Sequence, residues 1–320
     1  MEKLRDKIVK LTKSPLFAGI SIFAIIFIVN VILDSRFFSS DTIYGNLSVM
    51  TPIIVATIAQ GIVILSGSID LSIGAAISLI NCILAVTLGD TAGSVIYGLL
   101  LSLIAMLAVS ALNGLLVAYL KLPSMVATFA VSTMLVGITL LVLPVPGGYI
   151  PKWLPRIYSY RIGGVFPITV FILTVVGFIW WLVSKTKLGR YIYAVGGNEN
   201  AAMASGINPK RIKFFAFLLS GFFVWLAAII VTGQTGAGDF RLGSTYALTT
   251  IAAAIMGGIA LSGGKGRILG AGLGGCIMIF VINIIYFAGI QSYYQDMIRG
   301  LIVIVALFII AIPNLKKRTI

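Results

Sequence analysis

Few side chains in this sequence could perform chemistry. The 320 residues include no histidine, which excludes histidine-based acid and base catalysis, histidine metal ligation and Ser-His-Asp hydrolysis. The two cysteines, Cys82 and Cys276, lie far apart inside apolar segments without a Cys-x-x-Cys spacing, so we interpret them as small core residues. No set of nucleophile, base and metal ligand converges. We therefore expect a chain that is not an enzyme and that binds no metal or cofactor.

One carboxylate, Asp70, stands between two apolar stretches in the segment GIVILSGSIDLSIGAAISLI at 61–80. An aspartate at the centre of a membrane helix costs about 2.5 to 3.5 kcal/mol, so a partner, water or a helix cap must compensate it. Ser66 and Ser72 flank Asp70, which is placed to cap the helix that follows. Broken, glycine-rich spans also build solute sites in transporters. Two roles therefore stay open for Asp70, a helix cap or a part in gating and solute passage.

A second glycine-rich segment, IMGGIALSGGKGRILGAGLGGCIMIF at 255–280, suggests a nucleotide-binding loop but does not match one. In a phosphate-binding loop Ile259 would have to be glycine, and Gly266 would have to be serine or threonine. The sequence LSGGK looks like the signature of an ATP-binding cassette, but no Walker motif accompanies it. Gly270 and Gly274 instead have a small-xxx-small spacing, which predicts close packing between helices.

The two glycine-rich segments share a short internal similarity. The sequence GIVILSG from Gly61 and the sequence GIALSGG from Gly258 each precede the start of a glycine-rich span. Membrane sequences rich in glycine, serine and leucine also match by chance. We therefore take the similarity as a hint of duplicated architecture only.

The polar residues inside apolar segments are candidates for lining a solute pathway. Hydrogen bonding between helices, worth less than about 2 kcal/mol for each bond, is the alternative role. No buried lysine and no pair of carboxylates forms a proton relay, so the energy for transport is expected to come from elsewhere. The candidate pathway or gating residues are Gln60, Ser66, Asp70, Ser72, Asn81, Asn113, Thr128, Thr249, Thr250 and Asn283.

The elements that position these residues are membrane spans. Apolar residues make up 59% of the chain and charged residues 10%, and the mean hydropathy is +1.11, which differs strongly from soluble domains. Runs of about 17 to 25 apolar residues predict about ten transmembrane helices. We predict an all-α polytopic membrane protein in which residues 1–320 form a single transmembrane domain. The predicted spans are 16–33, 46–66, 71–89, 94–119, 123–145, 165–184, 213–232, 245–262, 268–287 and 296–313.

Basic residues orient the spans. They concentrate in the N-terminal segment 1–15, in the loop 185–213 and in the C-terminal tail. The positive-inside rule places all three in the cytoplasm, together with both termini. The net charge of +14 therefore indicates membrane orientation and not nucleic-acid binding. Prolines between 144 and 155 predict an external loop.

The loop 185–213, which we call the basic loop, is too polar to span a membrane and contains good helix formers from Glu199 to Ser205. Asn198 is placed to cap this short helix and Gly206 to end it. One interpretation is a solvated loop between two spans. The other is a docking element for a cytoplasmic partner.

Three motifs, SGSIDLSIGAAISL, LGRYIYAVGGNENAAMASGINPKRIK and IAAAIMGGIALSGGKGRILGAGLG, occur in this order. Together they resemble the ribose-type permeases of bacterial sugar ABC importers, over most of the chain. The resemblance implies a permease domain of ten helices, similar in fold to the cobalamin importer's permease, in the bacterial cytoplasmic membrane. It also implies a second permease subunit, a cytoplasmic dimer of ATPase cassettes that uses ATP and Mg²⁺, and an extracytoplasmic sugar-binding protein.

Within this resemblance, residues 189–207 match the coupling region that contacts the cassettes. ATP-driven closure of the cassettes would drive alternating access to a pathway for a monosaccharide or similar small polar solute. Many relatives have Glu-Leu-Asp-Ala where this chain reads Ala-Leu-Thr-Thr from Ala247 to Thr250, a departure that concerns the solute. A stand-alone secondary carrier or channel is the alternative function. The residues that match the coupling region are Gly189, Arg190, Gly196, Gly197, Asn198, Glu199, Ala202, Gly206 and Ile207.

Overall fold

A computed structural model describes residues 15–164, 166–291, 294, 297, 298, 300 and 301. Over these residues the chain forms helices joined by turns and one small hairpin. The helices are α1 (Pro15–Leu33), α2 (Ser40–Leu65), α3 (Ile73–Thr87), α4 (Ala92–Gly114), α5 (Ser124–Val142), α6 (Trp153–Tyr158), α7 (Ile168–Lys185), α8 (Lys187–Gly197), α9 (Glu199–Ala204), α10 (Pro209–Thr235), α11 (Tyr246–Met256) and α12 (Ile268–Phe287). The hairpin pairs β1 (Arg161–Ile162) with β2 (Phe166–Pro167) in antiparallel fashion, a detail that the all-α prediction did not include.

Among the described residues, six helices are long and apolar enough to cross a membrane: α2, α4 with its π-helical extension Leu115–Tyr119, α5, α7, α10 and α12. Shorter apolar helices are Gly19–Leu33 within α1, α3 and α11. Each of these helices coincides with a predicted span, so the chain is a polytopic helical membrane protein. Apart from isolated positions, the last predicted span, 296–313, and the N-terminal segment 1–15 lie outside the described residues.

Two apolar helices, α3 and α11, are too short to cross the hydrocarbon alone. The 15 residues of α3 extend about 22 Å and the 11 residues of α11 about 16 Å, whereas the hydrocarbon is about 30 Å thick. The predicted span 245–262 is wrong at its end, because α11 stops at Met256 and the chain turns at Gly258 with a φ of +89°. The chain leaves α2 in a similar way, at Gly67 with a φ of +82°.

Helix α2 lies at the centre of the bundle. It begins where Ser39 Oγ accepts a hydrogen bond from the Thr42 backbone N–H at 3.2 Å, and every residue from Met50 to Leu65 is buried. Helices α10, α12 and α11 pack around it, as expected for a helix that is apolar on all sides. The outer helices α4, α5 and α7 instead expose large apolar side chains, which lipid tails accept.

Glycines bring α11 and α12 into backbone contact. A Cβ atom at Gly257 would lie 1.8 Å from the Gly270 carbonyl oxygen, and one at Gly274 would lie 1.7 Å from the Ala253 carbonyl oxygen. No side chain fits at these distances. The predicted close packing through Gly270 and Gly274 is therefore confirmed.

We predict that Gly274→Ala destabilises the protein by about 1 to 3 kcal/mol, because the added methyl group must separate two packed backbones. Gly272→Ala, in the same helix, is the control. Its new Cβ would meet only Ile54 Cγ2, at 3.7 Å, and alanine favours a helix by about 1 kcal/mol over glycine. Thermal unfolding in detergent, followed by size-exclusion chromatography, compares the two variants. Equal midpoints would contradict the close approach of α11 and α12.

Candidate functional site

Between α2 and α3 the chain leaves helical structure over residues 66–72, which we call the linker. Ser66 ends α2, and its Oγ donates to the Val63 carbonyl at 2.7 Å. Asp70 and Ser72 are both buried. Polar groups that are buried outside a helix cost free energy unless they are hydrogen-bonded. The polar groups of the linker therefore need partners within the protein.

Asp70 finds its partners inside the linker. Its Oδ1 accepts hydrogen bonds from the Ser72 backbone N–H at 2.8 Å and from Ser72 Oγ at 2.6 Å. Ser72 Oγ also accepts from Asn113 Nδ2 of α4 at 2.7 Å. Ser72 is the N-cap residue of α3, so Asp70 does not cap the helix directly. It forms an Asx turn that leads into the positive end of α3.

The first turn of α5 satisfies the backbone of the linker. The Leu71 N–H donates to Thr128 Oγ1 at 2.9 Å, and the Ile69 N–H donates to Ser124 Oγ at 3.1 Å. Hydrogen bonds thus connect five residues in and around the linker, and we call them the linker group. They are Asp70, Ser72, Asn113, Ser124 and Thr128. The sequence pattern did not single out Ser124, because a serine after a proline at the start of a span is also an ordinary helix start.

Asn81 has a different role. Its Nδ2 donates to Thr232 Oγ1 at 3.0 Å and to the Ala237 carbonyl at 3.1 Å, and its Oδ1 accepts from the Asp239 N–H at 2.8 Å. Every polar atom of the side chain is therefore used to hold the turn after α10 against α3. Such full satisfaction is typical of a structural amide.

The candidates on α11 and α12 also lie apart from the linker group. Asn283 Nδ2 donates to Asn46 Oδ1 at 2.8 Å and joins α12 to α2. Thr250 Oγ1 donates to the Ala247 carbonyl at 3.1 Å within α11, where Thr249 is buried as well. Local or interhelical hydrogen bonding accounts for Asn283 and Thr250.

Gln60 differs from all of these residues. It is fully buried near the C-terminal end of α2, and within the described part of the chain neither its Oε1 nor its Nε2 has a hydrogen-bond partner. Asn113 Oδ1 is buried without a partner in the same sense. An unsatisfied buried amide costs about 1 to 3 kcal/mol, and packing gives no reason to keep one. Gln60 and Asn113 are therefore the strongest of the pathway candidates.

Two short helices, α8 and α9, form the core of the basic loop. Thr186 Oγ1 caps α8 by accepting from the Gly189 N–H at 3.3 Å. Asn198 Oδ1 accepts from the Ala201 N–H at 3.0 Å and begins α9. Burial raises the pKa of the Tyr193 hydroxyl on α8, so this hydroxyl is neutral at pH 7. The predicted cap at Asn198 is confirmed.

Helix α9 ends in a Schellman motif. The Gly206 N–H donates to the Met203 carbonyl and the Ile207 N–H to the Ala202 carbonyl, both at 3.0 Å, and Gly206 has a φ of +79°. The predicted stop at Gly206 is confirmed, and the last helical residue is Ala204. Both ends of this two-turn helix are thus fixed by local hydrogen bonds.

The outer surface of α9 is exposed, and one ion pair fastens it to the bundle. Glu199 Oε2 lies 2.7 Å from Lys213 Nζ of α10, with side chains 48% and 18% exposed. Such an exposed pair contributes less than about 1 kcal/mol. Ala202 is the buried residue of α9, whereas Met203 is exposed. The helix therefore presents a surface that the described part of the chain does not cover.

A cavity of about 710 Å³ lies between the basic loop, the turn from α4 to α5 and the linker. Ser68 of the linker and Ser124 line one side, and Glu199 lines the other. The cationic lining residues are Lys121, Lys210 and Lys213. Because Ser124 also belongs to the linker group, the cavity extends from α9 to that group. Across the described residues no three His, Cys, Asp or Glu side chains gather to hold a metal ion.

Known proteins similar to this chain are import permeases. The ribose import permease protein RbsC of Haemophilus influenzae is 34% identical over 294 residues, which cover 89% of this chain and 90% of the relative. RbsC of Escherichia coli K12 is 30% identical over 312 residues, 93% of this chain and 95% of the relative. The autoinducer 2 import system permease protein LsrC of Salmonella choleraesuis is 31% identical over 276 residues, 85% and 78%. No solved structure matches the chain significantly.

These relatives confirm the resemblance to ribose-type permeases that the sequence motifs indicated. A family model described as the permease component of branched-chain amino acid transport systems matches residues 42–307. That range includes the linker, the basic loop and the glycine-rich turn after α11. The chain therefore belongs to this family of transport-system permease components.

Proposed function

We propose that the chain is the transmembrane permease subunit of an ATP-binding-cassette importer for a monosaccharide or similar small polar solute. The observation that carries the proposal is α9, a short exposed helix fixed at both ends within a basic loop. A helix with one buried residue, Ala202, fills no core of its own, so its stability serves an exposed surface. The names of the relatives, which import ribose and autoinducer 2, support an importer of small polar solutes.

In the proposed assembly the charge pattern of the chain gives the orientation, and the resemblance to ribose-type permeases implies the partners. The basic loop and both termini lie in the cytoplasm, where a dimer of ATPase cassettes docks on α8 and α9. A sugar-binding protein delivers the solute from the other side of the bacterial cytoplasmic membrane, and a second permease subunit, identical or different, completes the pathway. Ten helices in a fold similar to the cobalamin importer's permease are part of the proposal. The apolar helices from α1 to α12 support it. Two pairs of these helices, α2 with α3 and α11 with α12, are joined by short non-helical turns, and we call these two pairs the interrupted spans.

The proposed mechanism is alternating access driven by the cassettes. This chain is non-catalytic, and ATP and Mg²⁺ belong to its partners. Movement of α9 on docking is transmitted to α10 through the Glu199–Lys213 pair. Gln60, whose two amide atoms lack partners in the described chain, and Asn113, whose Oδ1 lacks one, line the pathway and offer hydrogen bonds to a polyol. The coupling and pathway roles of the other candidate residues remain part of the same proposal.

Reconstitution in liposomes tests the proposal. The chain is purified with the cassette and binding proteins of its proposed transport system, and uptake of labelled ribose is measured with and without ATP. We expect uptake only in the complete complex with ATP and loaded binding protein. Uptake by the chain alone, without ATP, would favour a secondary carrier or channel and would refute the importer assignment.

We predict that Asn198→Ala lowers uptake per ATP hydrolysed in this complex at least fivefold. The substitution removes the cap of α9, a loss of about 1 kcal/mol in a helix with few other contacts. Asn198→Asp is the control, because its carboxylate can still accept from the Ala201 N–H. The aspartate variant should keep uptake per ATP within twofold of wild type. Two variants with the same ratio as wild type would contradict a coupling role for α9.

A second prediction separates the two roles that the sequence left open for Asp70. Asp70→Asn keeps an oxygen that can accept from Ser72, so we expect both stability and uptake to survive. Asp70→Ala removes that acceptor and should lower stability by about 0.5 to 2 kcal/mol. Thermal unfolding and uptake are measured for both variants. A folded asparagine variant without uptake would show that the charge itself is needed for gating or passage.

A further inference from the structure

Three glycine-containing turns meet at one point of the structure. They are Gly67 at the end of α2, Gly196 and Gly197 at the end of α8, and the pair Gly263 and Gly264 after α11, and we call this point the glycine junction. A Cβ atom at Gly196 would lie 2.8 Å from the Gly264 backbone nitrogen. A Cβ atom at Gly263 would lie 2.8 Å from both Gly67 Cα and the Gly196 carbonyl oxygen.

The contacts at the junction are between backbones. The Gly264 N–H donates to the Leu65 carbonyl at 3.0 Å, and a Cβ atom at Gly196 would lie only 1.8 Å from that same carbonyl oxygen. Gly67 and Gly263 have φ values of +82° and +80°, which glycine adopts without the strain that other residues meet. Among the described residues no side chain lies between the three segments, so a change of rotamer cannot absorb a shift of one of them.

The junction joins the parts of the chain that the proposed mechanism must connect. Gly196 lies two residues before Asn198, the cap of α9. Leu65 ends α2 and leads directly into the linker with Asp70. Gly264 lies in the turn between α11 and α12. The two spans that are interrupted in this fold therefore touch the end of α8 at the same place.

The junction also relates the two halves of the short internal similarity. The triplet Leu-Ser-Gly occurs at 65–67 and again at 261–263, and the structure places the glycines of the two triplets, Gly67 and Gly263, in contact. The hint of duplicated architecture thus has a physical counterpart. Equivalent turns of the two interrupted spans contact each other, and the end of α8 packs against both of them.

We infer that the glycine junction is the contact through which movement of the basic loop reaches both interrupted spans, with Gly196 as its positioning residue. The inference rests on the proposed function. Packed backbones shift as units and are not continuously deformable. A displacement of α8 and α9 must therefore carry the end of α2, and with it the linker group, together with the turn that leads into α12.

A matched pair of helical glycines tests the inference in the reconstituted complex. Gly196→Ala places a methyl group inside the junction, whereas a Cβ atom at Gly177 of α7 would meet nothing within 4 Å. We expect Gly196→Ala to lower uptake per ATP hydrolysed at least tenfold. Gly177→Ala should stay within twofold of wild type. A residue that only stabilises the fold would lower complex yield, hydrolysis and uptake together.

A second pair of variants tests the junction at Gly263. Gly263→Ala and Gly164→Ala carry similar backbone strain, with φ values of +80° and +74°, but a Cβ atom at Gly164 would meet nothing within 4 Å. Only Gly263→Ala should uncouple uptake from hydrolysis.

Three results would overturn the inference. The first is uptake per ATP within twofold of wild type in Gly196→Ala. The second is failure of both Gly196→Ala and Gly263→Ala to assemble with the cassettes, because the junction would then be purely structural. A wild-type complex that hydrolyses ATP without taking up solute would instead overturn the proposed function, and with it this inference.

Discussion

A backbone N–H group that leaves a helix and is buried away from water costs free energy unless another group accepts its hydrogen bond, so the protein must supply a partner for each one. The linker between α2 and α3 meets this requirement through side chains of other helices. Ser124 and Thr128 of α5 accept its backbone N–H groups, and Asp70 accepts that of Ser72. These bonds fix the point at which α3 can begin. The positions of α3, α4 and α5 relative to one another therefore depend on the linker group.

The second constraint is close backbone contact, because the turns of the interrupted spans pack at distances that only glycine allows. The start of α3 is one case, since a Cβ atom at Gly74 would lie 2.2 Å from the Gly243 carbonyl oxygen. The packing of α11 on α12 is another. Hydrogen bonds place the polar linker, and direct backbone contact places the apolar turns. The two devices together allow α3 and α11 to be stable although neither could cross the hydrocarbon alone.

Local features of the chain could be predicted from the sequence, and features that depend on distant neighbours could not. The apolar spans, the cap at Asn198 and the stop at Gly206 each depend on a few consecutive residues. The predicted end of the span 245–262 was wrong, because apolar residues continue past a turn that glycine makes possible. Ser72 connects Asp70 to Asn113 by hydrogen bonds, and the Gln60 amide is buried without a partner among the described residues. Both features arise only when separate helices pack. No periodicity in the sequence predicts these features.

The burial of α2 on all sides from Met50 to Leu65 has a consequence for how the protein is made. Its Ala59 carbonyl accepts from Ser220 of α10, 161 residues further along the chain. At about 5 to 20 residues per second of synthesis, α2 waits on the order of ten seconds before α10 emerges from the ribosome. During that interval its neighbours are incomplete and the Gln60 amide is not yet enclosed. The packing of the central helix is thus completed late. Until α10 arrives, the uncovered surface of α2 is what a membrane protease can recognise.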